Sequence, residues 1–160
     1  MKKHKVLSAF LLTFIFAYLP QALCTAQEND QDDKKVKAKI ESLLQTQVDQ
    51  WNKKDLKGFM QTYWKSEKLT FSSGGKTTRG WQQTFDRYKR RYQGYGAEMG
   101  KLHFDKIEMD LLSDKACLVL GRWHLKMEKE KLEGNFSLVL KKMDGGWKIV
   151  HDHSSSLDDE

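Results

Sequence analysis

The fold is decided by the last stretch of patterned sequence, Asp144-Gly145-Gly146-Trp147-Lys148-Ile149-Val150-His151-Asp152-His153-Ser154-Ser155. Its glycine pair is typical of a hairpin turn, and an apolar strand follows the turn. Because successive strand residues point to opposite faces of a sheet, one face is expected to carry Trp147, Ile149, His151 and His153. An apolar face that becomes polar at its end predicts a strand that runs from a packed core to the lip of a pocket.

Three more strands are predicted upstream of this one, because the apolar residues there recur with a period of two. They cover about residues 103–112, 116–127 and 132–143 and are separated by short polar turns. In the first of them, one side is expected to carry His103, Asp105, Ile107, Met109 and Leu111. Together the four strands predict an antiparallel meander.

The N-terminal half has a helical period instead. Apolar residues at three- and four-residue spacing from Val36 to Trp51 predict a long helix, which Asp32 or Asp33 would cap. After it we expect a second helix, a short strand and a third helix, beginning at Asp55, Leu69 and about Gly80. Helices followed by a meander predict an α+β fold with a strongly curved sheet and helices on one face.

Three motifs carry a resemblance to a known family. The junction of the first two helices, Gln50-Trp51-Asn52-Lys53-Lys54-Asp55-Leu56, resembles that of the nuclear transport factor 2-like superfamily, as does the stretch from Thr70-Phe71 to Gly80-Trp81. The last strand, 147–154, resembles a small bacterial branch of unknown function, SnoaL-like or like the calcium/calmodulin-dependent-kinase association domain. The resemblance covers about residues 36–156. It implies a cone, in which a bent, mostly antiparallel sheet wraps around N-terminal helices and encloses a pocket.

Residues 1–26 have the layout of a secretory signal peptide, with a basic start, an apolar run and small residues up to Ala26. Cleavage is expected after Ala26 or after Cys24, ahead of a flexible lead-in, 27–35, and a single domain, 36–156. The expected location is periplasmic or secreted, with no membrane association after cleavage. Cleavage would remove three lysines and no acidic residue, so the formal net charge would fall from +6 to +3.

Nucleic acid is not an expected partner of a chain with so small a charge. One stretch, Arg87-Tyr88-Lys89-Arg90-Arg91-Tyr92, does mix basic and aromatic residues as a nucleic-acid surface does. On a helix, however, the two tyrosines share one face and the arginines lie largely outward, which is typical of a solvated face.

Two histidines at the end of the last strand, His151 and His153, are the first candidate anchors for a ligand. They could bind a carboxylate, pass a proton or join a metal site, or they could simply hydrogen-bond to neighbouring structure at the rim. Two ligands make an incomplete metal site, and His103, His124 and Asp152 are only candidates for a third. We therefore predict no metal and no other cofactor.

Arg122 is the third candidate anchor. It and Trp123 are neighbours on a strand, so only one of the two points into the cone. An inward guanidinium would hold a ligand carboxylate bidentately. An outward guanidinium would be solvated and would lie on the same strand face as Leu120 and His124.

Aromatic residues on the helices and the first strand are expected to form the walls of the cone, mostly as core. Tyr63, Trp81 and Tyr88 are the predicted pocket walls, and the two tyrosines are favoured because a buried hydroxyl must be hydrogen-bonded. Relatives of the steroid-isomerase type use a buried aspartate with a tyrosine, and no motif of this sequence matches that catalytic pair. Asp152 is expected to point away from the cone if its histidine neighbours point inward.

Three functions remain open from the sequence, because the fold hosts isomerases, cyclases, dehydratases, binding modules and assembly domains. The first is an exported domain that binds a small organic ligand, anionic or aromatic, in its cone. The second is a SnoaL-like enzyme with a pocket histidine as acid or base, so whether the protein is an enzyme is left open. The third is a structural dimer without a ligand. Relatives commonly pair through the outer sheet face, so a homodimer is expected.

Overall fold

The structure is a computed structural model that describes residues 19–94 and 97–157, with side chains from Asp30 onward. The chain divides into two units, Met1–Lys35 and Val36–Glu160, and the sheet and its cavity belong to the second. The helices are α1 (Leu19–Asn52), α2 (Leu56–Met60) and α3 (Trp81–Lys89), which a π-helical turn (Arg90–Gly94) continues. The strands are β1 (Thr70–Ser73), β2 (Lys76–Arg79), β3 (Lys101–Ser113), β4 (Ala116–Lys126), β5 (Lys131–Met143) and β6 (Gly146–Ser154).

The six strands form one bent sheet in the order β2-β1-β6-β5-β4-β3. Neighbouring strands are antiparallel, except that β1 runs parallel to β6. The predicted α+β class and the mostly antiparallel sheet are confirmed. Strand β2 was not predicted, because Lys76–Arg79 is short and polar. The hairpin before it uses Gly74 and Gly75 at φ of 59° and 71°, where glycine carries no steric penalty.

Helix α1 begins earlier than predicted. The expected caps Asp32 and Asp33 lie inside it, and the expected lead-in, 27–35, is helical. That segment contains neither proline nor glycine, and the ion pair Lys34–Asp30 spans one helical turn at 2.6 Å. The predicted signal peptide falls largely outside the described residues. Within the described part of the chain, no helix combines the length and apolarity needed to cross a membrane.

Strand β3 contains a β-bulge that reverses its side-chain alternation. The register with β4 shifts between Asp105 and Glu108, and Lys106 adopts φ of 49°. Before the bulge Phe104 faces the core, and after it Ile107 and Met109 do. The prediction that His103 and Asp105 share a side with these apolar residues is therefore wrong, because the extra residue turns the strand by one position.

A second bulge reverses β6 at Val150. Val139 of β5 pairs with His151, and the next residue, Leu140, pairs with Ile149, so Val150 has no partner. Up to Ile149 the odd-numbered residues are buried, and beyond Val150 the even-numbered Asp152 is buried instead. The predicted face that combined Trp147 and Ile149 with the two histidines is wrong for this reason.

The core lies between the helices and the inner face of the sheet. Helices α1 and α2 contribute apolar side chains at helical spacing, and the sheet contributes alternate residues of each strand. Burying one such aliphatic side chain stabilises the fold by about 1.5–3 kcal/mol. Its most deeply buried members are Ile40, Leu56, Met60, Leu69, Cys117, Val119, Leu140 and Ile149.

Candidate functional site

A cavity of about 180 Å³ lies between the helices and the inner face of the sheet. Its walls are mostly aromatic and its polar groups are few, as is typical of small-molecule pockets. At one end the polar lining residues are fully buried, and at the other Arg91 and Ser156 are exposed, so the cavity runs inward from solvent. Its aromatic lining consists of Trp51, Phe59, Tyr63, Phe71, Tyr88, Tyr92, Phe104, Trp123 and Phe136.

The buried end of the cavity holds a carboxyl group, that of Asp152, which is only 4% exposed. The Tyr63 hydroxyl donates a hydrogen bond to its Oδ2 at 2.6 Å, and the Ser154 hydroxyl donates one to its Oδ1 at 2.9 Å. Asp152 faces the cavity because the bulge at Val150 reverses the strand, and it then pairs with Phe71 of β1 and Leu138 of β5. The carboxyl is therefore held at the centre of the sheet.

The loop after α2 brings Tyr63 to this carboxyl. The Trp64 amide donates to the Ile149 carbonyl at 2.8 Å, and the Ile149 amide donates to the Thr62 carbonyl at 3.1 Å. These two bonds clamp the loop to β6 immediately before the bulge. The spacing of Tyr63 from Asp152 is therefore set by backbone bonds rather than by flexible side chains.

Burial controls the ionisation of these groups. Loss of solvation raises the pKa of Asp152 to about 6, although the hydrogen bonds from Tyr63 and Ser154 and the charge of His153 act in the opposite direction. Burial, with the negative charge of Asp152, raises the pKa of Tyr63 and of Tyr88 well above 10.0. Near neutral pH the two phenols stay protonated, and Tyr63 acts as a donor, whereas the carboxyl of Asp152 can gain and lose a proton.

Two of the predicted wall residues, Tyr63 and Tyr88, do line the cavity, and Trp81 does not. Tyr88 stands edge-on to Phe59, with ring centres 5.4 Å apart. The Trp81 indole N–H donates to the Met60 carbonyl at 2.8 Å and thereby ties α3 to α2. Trp81 is a core residue and does not line this cavity.

The three predicted polar anchors lie on the outer face of the sheet. His151 has its Nδ1 within 2.6 Å of the Thr70 hydroxyl on the neighbouring strand, and His153 is exposed. The Arg122 guanidinium lies beside β5, where its Nε donates to Asn135 Oδ1 at 3.4 Å. The interpretation of these residues as pocket anchors is wrong, because of the bulge for the histidines and because Trp123, not Arg122, faces inward.

The outer face also carries a polar cluster around His124. Its Nε2 lies 3.1 Å from Asp105 Oδ1, and its Nδ1 lies 2.9 Å from Glu133 Oε2. The neighbouring His124 side chain holds the pKa of Asp105 below its ordinary value. Among the residues whose side chains are described, no group of three or more histidine, cysteine or acidic side chains is arranged to hold a metal ion.

Sequence reasoning missed two arginines that line the cavity, Arg87 and Arg91. Arg87 donates from Nη1 to Thr78 Oγ1 at 3.2 Å and from Nη2 to the Ser73 carbonyl at 3.3 Å. Between the two arginines, Arg90 is exposed and takes no part in the lining. The sequence did contain a signal for these arginines. Arg87 and Arg91 are four residues apart, as are Tyr88 and Tyr92, so on a helix the two arginines lie next to the two tyrosines and all four can line one cavity.

The family model of the SnoaL-like domain matches residues 40–159, which is most of the chain. The chain belongs to the SnoaL-like family. The predicted resemblance to the nuclear transport factor 2-like superfamily is thereby confirmed. No curated protein shows significant similarity to this SnoaL-like chain.

Solved structures agree with this assignment. An NTF2-like protein of unknown function from Shewanella oneidensis MR-1 is 40% identical with a TM-score of 0.69, and the match covers 74% of this chain and 98% of that one. An NTF2-like superfamily protein from Salmonella enterica serovar Typhimurium LT2 is 21% identical with a TM-score of 0.63, covering 79% and 94%. A Novosphingobium aromaticivorans DSM 12444 protein, provisionally named a scytalone dehydratase, is 15% identical with a TM-score of 0.65, covering 81% and 89%. The last two establish likeness of fold alone.

Proposed function

We propose that the cavity binds a small ring compound and that Asp152 exchanges a proton with it. The observation that carries the proposal is a buried carboxyl with a pKa of about 6, hydrogen-bonded to a phenol at the inner end of an aromatic cavity. A general acid or base works best when its pKa lies near the working pH. Since a cavity of about 150 Å³ accommodates benzene, one of about 180 Å³ that is open to solvent at one end has room for an aromatic ring.

The two groups have complementary roles. When the carboxylate of Asp152 removes a proton from a carbon next to a carbonyl, the C–H bond breaks, an O–H bond forms, and the electron pair moves to the carbonyl oxygen. The Tyr63 phenol, which no longer faces a charged carboxylate, can then donate to that oxyanion, and Tyr88 is a second phenol in the same wall. Isomerisation, dehydration and ring closure all use this step. The acid or base of the enzyme hypothesis thus becomes Asp152 instead of a histidine.

A binding protein without turnover is the alternative, and the aromatic walls support it equally. The deciding experiment uses the compound that native mass spectrometry finds bound to the protein purified from its own host. Incubation in D₂O with wild type would place deuterium on that compound if Asp152 removes and returns a proton. Asp152→Asn, which keeps the side-chain volume, would retain the compound and lose the exchange. A compound that stays bound to wild type without exchange or conversion would refute the catalytic proposal and leave the binding one.

We also propose export and homodimerisation, which the sequence predicts. Export would be tested by the N-terminal sequence of the protein recovered from periplasm or medium, where a start after residue 24 or 26 is expected.

The outer sheet face supports pairing, since Leu120 is 41% exposed there. Sedimentation velocity of wild type and Leu120→Glu tests it. A monomeric wild type would exclude the dimer.

A further inference from the structure

Two positive charges beside the cavity have no acidic partner in the described part of the chain. Arg87 and Arg91 take part in none of the ion pairs found there. Asp86, the nearest acidic residue in the helix, pairs with Lys89 at 3.0 Å instead. The hydrogen bonds of Asp152 come from Tyr63 and Ser154, so the arginines do not neutralise it.

Arg87 is held in one place before any ligand arrives. Two of the five N–H donors of its guanidinium are used, on Thr78 and on the Ser73 carbonyl, which leaves the others free. The guanidinium carbon lies 5.0 Å from the centre of the Phe71 ring, which is itself part of the cavity wall. A fixed and partly desolvated guanidinium binds an oxyanion more strongly than a mobile surface arginine does.

Arg91 stands nearer to solvent on the same side. Its guanidinium carbon lies 5.5 Å from the centre of the Tyr92 ring, and the residue is exposed. Arg91 lies four residues after Arg87, in the π-helical turn Arg90–Gly94 that follows α3 directly, and both residues line the cavity. Arg91 is exposed and Arg87 half-buried, whereas Asp152 is buried, so both positive charges lie nearer to solvent than the carboxyl does.

We propose that Arg87 and Arg91 form an anion site at the mouth of the cavity and bind the carboxylate of a ring compound whose uncharged hydroxyl or carbonyl group faces Asp152 and Tyr63. The inference rests on the proposed function, because it assigns a substrate class, cyclic hydroxy or keto acids, to the same cavity. The competing explanation is purely structural, in which Arg87 only ties the β1–β2 hairpin to α3.

The test compares two probes by fluorescence titration, 6-hydroxy-2-naphthoate, which is charged, and its methyl ester, which is neutral and one methyl group larger. Wild type is expected to bind the acid at least about tenfold more tightly than the ester, the lower end for a hydrogen bond to a charged group. The Arg87→Gln/Arg91→Gln variant would remove this preference and leave ester binding unchanged. Arg90→Gln is the matched control. It removes one positive charge from the same turn at a residue that does not line the cavity, so the preference for the acid should be kept.

Further variants keep the test decisive. The melting temperature of the double variant shows whether loss of the hairpin tie destabilises it. If it does, Arg91→Gln alone, at an exposed position, is expected to reduce the preference for the acid at least about threefold, and raised salt to reduce that preference further. An equal affinity of wild type for both probes, or a preference that survives in the double variant, would overturn the anion site while leaving cavity binding intact. Asp152→Asn should keep the preference. If wild type binds neither probe, the anion site is wrong for this ligand class, and the D₂O experiment decides the proposed function separately.

Discussion

Replacing Asp152 by asparagine should stabilise the protein at neutral pH, although it removes the proposed acid or base. The pKa of this carboxyl rises from 3.8 to about 6 on folding because it is buried. A raised pKa means that the folded state binds the proton more tightly than the unfolded state does. Stability from this group is therefore fully present below pH 3.8 and is lost as the pH rises through about 6.

The size of the effect follows from the shift. A difference of roughly two pKa units corresponds to about 3 kcal/mol, since one unit equals about 1.4 kcal/mol. Asparagine has the same shape, stays neutral, and offers an oxygen that can still accept from Tyr63 or Ser154. We expect Asp152→Asn to unfold at the same urea concentration as wild type near pH 4 and to be up to about 3 kcal/mol more stable at pH 8.

The assay is urea unfolding of both proteins at intervals from pH 4 to pH 8. Taking the difference between them removes the contributions of all other titrating groups. Asp110→Asn, which makes the same substitution at an exposed position on β3, is the control. A difference that does not change with pH, or an asparagine variant that is less stable at pH 8, would contradict the assignment of a buried, proton-binding carboxyl.

Three further predictions concern the surroundings of this carboxyl. Tyr63→Phe removes a hydrogen-bond donor that favours the ionised form of Asp152, so the pKa of Asp152 should rise further. An NMR titration that follows the carboxyl carbon resonance of Asp152 would measure this pKa. Gly134→Ala would drive a methyl group into the backbone carbonyl oxygen of Ser155, so the melting temperature should fall by the equivalent of about 1–3 kcal/mol, and an unchanged value would refute the close approach. The variant His151→Ala/His153→Ala should retain the co-purifying compound and its deuterium exchange in native mass spectrometry. Loss of the compound from this variant would mean that the histidines do bind it.

The amino-acid sequence by itself determined the class of fold, the four-stranded meander and the family. These features depend on local patterns, because a period of two, a period near 3.6 and glycine turns are written into short stretches of chain. The last strand, 146–154, and the hairpin turn before it were predicted from such a stretch. Tyr63 and Tyr88 were identified as pocket walls because a buried phenol needs both apolar packing and a polar partner.

Only the tertiary structure decided which side chains face the cavity. The bulge at Val150 arises from the pairing of β6 with β5, and it exchanges the faces of Asp152 and the two histidines in a way that no local period reveals. The bulge in β3 has the same effect on His103 and Asp105. The pKa of Asp152 depends likewise on burial and on a tyrosine 89 residues earlier in the chain. Side-chain direction and proton affinity are properties of the assembled sheet, because one unpaired residue is enough to turn a strand over.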